Sequence, residues 1–429
     1  MALSLTRVNR VFIQPCEPTP SVVLNLSLID NIPVLRCFAR TIHVFTHGPD
    51  AARVIREALA KALVSYYPLS GRLKELNQGK IQIDCTGEIG IWFVDAVTDV
   101  TLESVGYFDN LMEIPYHDLL PDQIPRDDDA EPLVQMQVTQ FSCGGFVMGL
   151  RFCHAICDGL GAAQFLTAVG EIASGRTNLG VSPVWHRDFI RQHHRTNNVI
   201  SPAVPPPFPL AFPGYKLEHL SFDIPSDLIE RFKREFHAST GEICSAFEVI
   251  AASFWKLRTE AIYLRENTEV KLVFFANCRH LVNPPLPVGF YGNCFFPVKI
   301  SAGSHEIAKE KSVFDVVKLI KRAKAKLPEE FEKFVNGDGD DPFAPAVGYN
   351  TLFLSEWGKL GFNQVDYGWG PPLHVAPIQG LNIVPAGIVG SMPLPKKGVR
   401  LMTWCVEETH CQLFDDLMTN KISTSNKTE

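Results

Sequence analysis

Apolar residues along the chain change period repeatedly, and each change marks an element. From Arg10 to Pro15 apolar and polar positions alternate, predicting a strand, and CEPTPS follows as a proline-punctuated turn. Between residues 50 and 65, AARVIREALAKALVS carries its apolar residues on a helical period and runs into YYPLSGRL, where the helix is expected to stop. IQIDCTG and GIWFVDA predict a pair of strands around a turn at Gly87. LVQMQVTQF, SCGG and FVMGLRF predict a hairpin, and LGAAQFLTAVGEIASG a helix ending at Gly175. The second half repeats this mixture: strand LEHLSFDIP, helices from Pro225 and from Cys244, strands VKLVFFANC and FYGNCFFPVKI, and a helix over 312–327.

Alternating strands and helices predict an α/β (α+β) chain, and 429 residues exceed what one hydrophobic core usually organises. Two domains are expected. The stretch TNNVISPAVPPPFPLAFPG holds six prolines and almost no charge, which suits an extended connector. The expected division is therefore 1–195, a linker over 196–220, and 221–429, with a segment near 360–390 returning to the first domain.

Composition narrows the partners. With 46% hydrophobic and 20% charged residues the chain is globular, and a formal charge of −7 argues against electrostatic binding to nucleic acid or to anionic membrane. The start, MALSLTRVNRVFIQP, has no apolar leader core, and no run of about 18 apolar residues occurs, so a cytoplasmic protein is expected. The 11 cysteines are scattered, as reduced thiols are. Cys153, His154 and Cys157 cluster, but no second ligand pair follows at zinc spacing, so no metal is expected. NGDGDDP at 336–342 is acidic but lacks the closing Glu of a calcium loop.

Candidate chemistry sits where the hairpin meets the following helix. His154, Ala155, Ile156, Cys157, Asp158, Gly159 places an imidazole and a carboxylate four residues apart at the end of an apolar strand. An imidazole titrating near neutrality can take a proton from a hydroxyl or amine as it attacks an acyl carbon. Alone, this spacing has little specificity, since a strand-end histidine also serves as a packed, hydrogen-bonded group. On the helix at 312–327, Lys318, Lys321, Arg322, Lys324 and Lys326 form either a solvated face or an edge that docks phosphates.

Along nearly its whole length and in order, the chain resembles the BAHD acyltransferases of plants. The resemblance is carried by VFIQPCEPTP, LNLSLID, YYPLSGRL, the CTGE at 85–88, FCHAICDGLGAAQFL with its HxxxDG pattern, SAFEVIAASFWKLRTEA, Asn277 to Arg279, GFYGNC at 289–294 and DYGWG at 366–370. Tyr367 stands where the family usually has Phe. The resemblance implies two chloramphenicol-acetyltransferase-like domains with a substrate channel between them, and His154 as general base. Acyl-CoA is implied as co-substrate with no bound cofactor, and a monomer is expected. Asp158 is then structural, pairing with Arg279 to fix the loop; Gly159 is likewise structural, and Asp366, Gly368, Trp369 and Gly370 form a tight structural turn. In LSEW, Ser355 and Trp357 are candidate donors to the oxyanion, or ordinary packing residues.

Relatives of this kind move acetyl, benzoyl or similar groups onto hydroxyls of specialised metabolites, taxane acyltransferases among them. Amide formation on a polyamine or other amine is the alternative, and a non-catalytic scaffold the alternative outside enzymology. A serine hydrolase is disfavoured because no GxSxG occurs. Condensation domains usually show two adjacent histidines, where Cys153 stands here.

Overall fold

A computed structural model describes residues 3–76, 79–87, 90–122, 124, 131–190, 214–338, 340–344, 348–378 and 384–423. Most of the proline-rich connector, 196–213, and Glu88 of the CTGE element lie outside the described residues. In chain order the strands are β1 (Leu5–Ile13), β2 (Val23–Asn25), β3 (Phe38–Phe45), β4 (Arg72–Glu75), β5 (Ile81–Asp84), β6 (Ile91–Thr98), β7 (Val134–Gln140) and β8 (Phe146–Cys153). They continue as β9 (Leu217–Pro225), β10 (Glu269–Asn277), β11 (Phe295–Gly303), β12 (Thr351–Glu356), β13 (His374–Ile378), β14 (Ala386–Ser391) and β15 (Gly398–Glu407). The α-helices are α1 (Ala51–Ser65), α2 (Tyr116–Leu119), α3 (Gly159–Ala173), α4 (Ser226–Thr240), α5 (Ala246–Ala261), α6 (Val313–Asn336) and α7 (Glu408–Ser423). Among the described residues no helix is long and apolar enough to cross a membrane.

The chain divides into two compact units. Unit 1 comprises Met1–Pro202, Val282–Cys294 and Lys359–Gly380; unit 2 comprises Ala203–Leu281, Phe295–Gly358 and Leu381–Glu429. Unit 1 is built on a six-stranded sheet of order β1-β6-β7-β8-β3-β13, with a small sheet β2-β5-β4. In the large sheet only β6 and β7 run parallel. Buried Ile55, Leu59 and Leu63 of α1 and Phe165, Leu166 and Val169 of α3 supply much of its helical core. Such fully buried aliphatic and aromatic side chains contribute roughly 1.5–3 kcal/mol each. Unit 2 has a second six-stranded sheet, β11-β10-β12-β14-β15-β9. Its α5 and α6 both begin with reciprocal capping, Ser245 with Glu248 and Ser312 with Asp315.

Three expectations are corrected. IQID and the strand after Gly90 do not pair with each other: β5 lies between β2 and β4, while β6 joins the large sheet beside β1 and β7. Alternation shows that a segment is extended but not which edge it finds. The strand predicted over FYGNCFFPVKI begins only at Phe295, because 290–294 forms a loop of unit 1. The helix predicted to end at 327 continues through Pro328 to Asn336, since Leu327, Phe331 and Phe334 keep burying one face until Gly337 ends it at φ 81°.

Candidate active site

The hairpin of β7 and β8 carries the chain to His154, whose own N–H donates to Cys37 O at 2.8 Å. The segment 154–158 then turns directly into α3. Asp158 caps that helix, its Oδ1 accepting from Gly161 N at 3.1 Å, and its Oδ2 accepts from Cys294 N at 3.2 Å. Each carboxylate oxygen thus holds a backbone amide, one on the helix and one on the 282–294 segment. This is a structural duty, and an acidic cap also favours the positive end of the helix dipole.

The glycines of the motif report close approach. A Cβ at Gly161 would lie 1.9 Å from Tyr291 O, so α3 meets the 282–294 segment at a distance no side chain permits. Gln164, one turn further, donates to Gly289 O at 2.9 Å and to the Tyr66 hydroxyl at 3.0 Å. Tyr66, wholly buried, comes from the YYPLSGRL element, whose Arg72 holds the carbonyls of Ser70, Gly71 and Gly90. Beside the site, burial pushes the Cys153 thiol up to about 12 and the Cys157 thiol well above its ordinary range. Neither supplies a thiolate near neutral pH.

A second group of side chains, not singled out in the sequence, encloses the 154–158 segment from below. Asp30 is fully buried, and its two oxygens accept from Arg187 Nη1 at 3.2 and 3.0 Å. Asn293 donates to Asp30 from both its backbone N, at 3.1 Å, and its side-chain Nδ2, at 2.7 Å. Asn293 Nδ2 also donates to His154 O at 2.8 Å, and Arg187 Nη2 donates to Ile156 O at 2.8 Å. These residues were legible only as motif letters: Asp30 ends LNLSLID and Asn293 lies in GFYGNC. A lone acid in the apolar run LNLSLIDNIPVL was the signal, because a carboxylate there must be partnered if it is buried.

The turn at 366–370 is built as a structural turn. Asp366 Oδ1 accepts from Gly368 N and Gly370 N at 2.7 and 2.8 Å, and both glycines have positive φ, 103° and 94°. Tyr367 is buried against Phe45 and Phe146, and its hydroxyl donates to the Met148 sulfur, 3.3 Å away. Trp369 packs edge-on to Phe146. A Cβ at Gly170 of α3 would lie 2.4 Å from Asp366 O, so the turn rests directly on the helix that follows His154. The turn therefore belongs to unit 1.

Arg279, Ser355 and Trp357 belong to unit 2. Arg279 follows β10, where its backbone N and Nη1 donate to Asn277 Oδ1 at 3.1 and 3.2 Å. Ser355 lies in β12, and the Trp357 indole N–H donates to Ser355 Oγ at 3.1 Å. The indole hydrogen is thus directed at the serine oxygen. On α6, Lys321 pairs with Glu242 at 3.0 Å and Lys324 with Glu248 at 2.6 Å. Among the described residues no group of His, Cys, Asp and Glu is placed to hold a metal ion.

A mixed α/β chain of two sheet-bearing units, with a histidine held between strand and helix and no activated thiol beside it, has the frame of an acyl-transferring enzyme. Residues 3–408 match the transferase family, and the chain belongs to that family, the BAHD acyltransferases, which draw their acyl groups from coenzyme A. It is 41% identical over 442 residues to Acyl transferase 4 of Oryza sativa subsp. japonica, covering 97% of this chain and 98% of that one. Myricetin 3-O-glucosyl 1,2-rhamnoside 6'-O-caffeoyltransferase AT2 of Crocosmia x crocosmiiflora is 39% identical over 97% of this chain and 99% of its own. Among solved structures, vinorine synthase shares the fold at TM-score 0.70, with 20% identity and 96% of each chain covered.

Proposed function

We propose that this acyltransferase moves an acyl group directly from coenzyme A to a hydroxyl of a specialised metabolite, with His154 as general base. The observation that carries the reading is the placement of His154 at the β8 end, where its N–H and its C=O are both engaged in hydrogen bonds. A general base must hold its ring within hydrogen-bond reach of the proton it removes, and a pinned backbone limits the search to side-chain rotamers.

A thioester is already activated, so a covalent detour offers little, and the protonated thiols of Cys153 and Cys157 make poor nucleophiles. In the direct route the acceptor oxygen bonds to the acyl carbon while His154 takes its proton, and Ser355 O–H, backed by Trp357, donates to the oxyanion. The tetrahedral centre then collapses, the C–S bond breaks, and the imidazolium returns the proton to the departing sulfur. The acceptor's identity follows from a panel: acetyl-, benzoyl- and caffeoyl-CoA with candidate alcohols, the last donor chosen because a 39% identical relative is a caffeoyltransferase.

His154→Ala should lower kcat by roughly 10²–10⁴-fold while coenzyme A affinity and thermal unfolding stay near those of the parent. Initial-rate lines should intersect, and intact-protein mass spectrometry after donor alone should show no acyl adduct. Parallel lines with a kinetically competent adduct on Cys153 or Cys157 would defeat this mechanism. The same reading pairs Asp158 with Arg279; a double-mutant cycle should show coupling, and strict additivity counts against the pair. We also read the protein as a cytoplasmic monomer, for which light scattering should return the 47.8 kDa of one chain.

A further inference from the structure

Three segments far apart in sequence, 27–30, 185–187 and 290–293, converge on the loop that carries His154, and they do so around a carboxylate. Ser27 N and Ser27 Oγ donate to Asp30 Oδ2 at 3.0 and 2.7 Å, adding to the donors from Arg187 and Asn293. A carboxylate offers about four lone-pair sites, so Asp30 is saturated. Arg187 is buried on its other side by rings, its guanidinium carbon 4.2 Å from the Trp185 centroid and 5.3 Å from those of Phe290 and Tyr291. Gly292 makes room for it, since a Cβ there would sit 1.7 Å from Arg187 Nη1. His186, just before, takes an uncommon φ of 29°, a conformation that costs free energy and is held only when its surroundings demand it.

This construction is expensive for stability. A buried ion pair recovers its desolvation cost only in part, and well-packed apolar groups of the same volume often do as well. What an apolar cluster could not do is donate hydrogen bonds outward. Arg187 and Asn293 each spend one side on Asp30 and the other on a backbone carbonyl of the catalytic loop, those of Ile156 and His154. The two hydrogens of the Asn293 amide are divided between Asp30 and the carbonyl of the base residue itself.

We propose that Asp30, Arg187 and Asn293 form a positioning device for the general base: Asp30 aims the two donors, and these fix the 154–155 and 156–157 peptide planes, and hence the direction of the His154 ring. The inference rests on the reading of His154 as base. Its consequence is kinetic. Neither donor touches the reacting atoms, so losing one should misplace the imidazole and lower kcat, with little change in donor or acceptor binding.

The test compares Asn293→Ala and Arg187→Lys with Leu59→Ala, a core truncation in α1 that lowers stability without touching the loop. Asn293→Ala should lose about 10–100-fold in kcat with both KM values within about threefold and coenzyme A binding by calorimetry unchanged. Arg187→Lys, which keeps the charge but not the fork, should likewise lose kcat. Leu59→Ala should lower Tm yet keep kcat per folded molecule. Where Asn293→Ala does not fold by near-ultraviolet circular dichroism, Asn293→Ser replaces it under the same criteria. The proposal is overturned if the folded Asn293 variant and Arg187→Lys keep kcat within twofold, or if Leu59→Ala loses kcat in the same proportion to Tm. His154→Ala run in parallel separates the two ideas: an active His154→Ala removes the base itself, whereas an inactive one beside normal Asn293 and Arg187 variants removes only the positioning device.

Discussion

His154 and His43 are both histidines on or just past strands of the same sheet, and they differ in burial. His154 stands partly exposed at the strand end, whereas His43 lies fully buried in β3, its Nε2 2.9 Å from Thr41 Oγ1 and its ring edge-on to Phe362. Burial, reinforced by neighbouring His374, pushes the His43 imidazole down to about 3. An unfolded histidine titrates near about 6.5, so between these values the unfolded chain binds a proton that the folded one refuses. The contribution of His43 to stability is thus complete above about pH 6.5 and is lost as pH falls toward 3, at up to about 1.4 kcal/mol per pH unit. Urea midpoints between pH 4 and 7 should fall less steeply for His43→Gln, which cannot charge, than for the parent. Identical slopes would contradict this account.

At the scale of the element, α3 carries the clearest opposition between local preference and tertiary demand. Asp158 is its cap, and replacing it by Ala should cost about 0.5–2 kcal/mol from the cap alone, before the loss of its bond to Cys294 N. Gly170 presents the reverse case. Glycine in a helix interior is worse than alanine by about 0.8–1.0 kcal/mol, so propensity alone says Gly170→Ala stabilises. The added Cβ would meet Asp366 O at 2.4 Å, a backbone atom that cannot rotate away. Chemical denaturation should therefore find both variants less stable than the parent, and a more stable Gly170→Ala would show that the 366–370 turn yields easily.

Over the whole molecule, chain order and compact unit part company. Unit 1 needs 282–294 for Asn293 and Cys294, and 359–380 for β13 and the 366–370 turn. A fragment ending at Pro202 would leave β3 as a bare sheet edge and would lack the donor from Asn293 to His154 O. Expressed alone, 1–202 should show no cooperative thermal transition and little hydrogen-exchange protection in α3, whereas the full chain shows both. Cooperative unfolding of the fragment within about 10 °C of the full chain would mean that these excursions are dispensable.

Local pattern was enough to place β7, β8, β9, β10, α1, α3, α4 and α5, because their apolar period and their turn or capping residues agree with the fold that contains them. The position of His154 at a strand-to-helix junction was likewise legible, since the period changes from two to about 3.6 across Asp158 and Gly159. Strand partners were not, as β5 and β6 show: alternation carries no information about which edge a strand will join. Nor could spacing reveal that Asp30, Arg187 and Asn293 share one buried centre. They are separated by 157 and 263 positions from Asp30, and a hydrogen bond over such distances has no local signature. Local pattern placed the imidazole at the end of an apolar strand; which backbone groups hold that histidine in place depends on where distant segments cross, and spacing along the chain does not encode it.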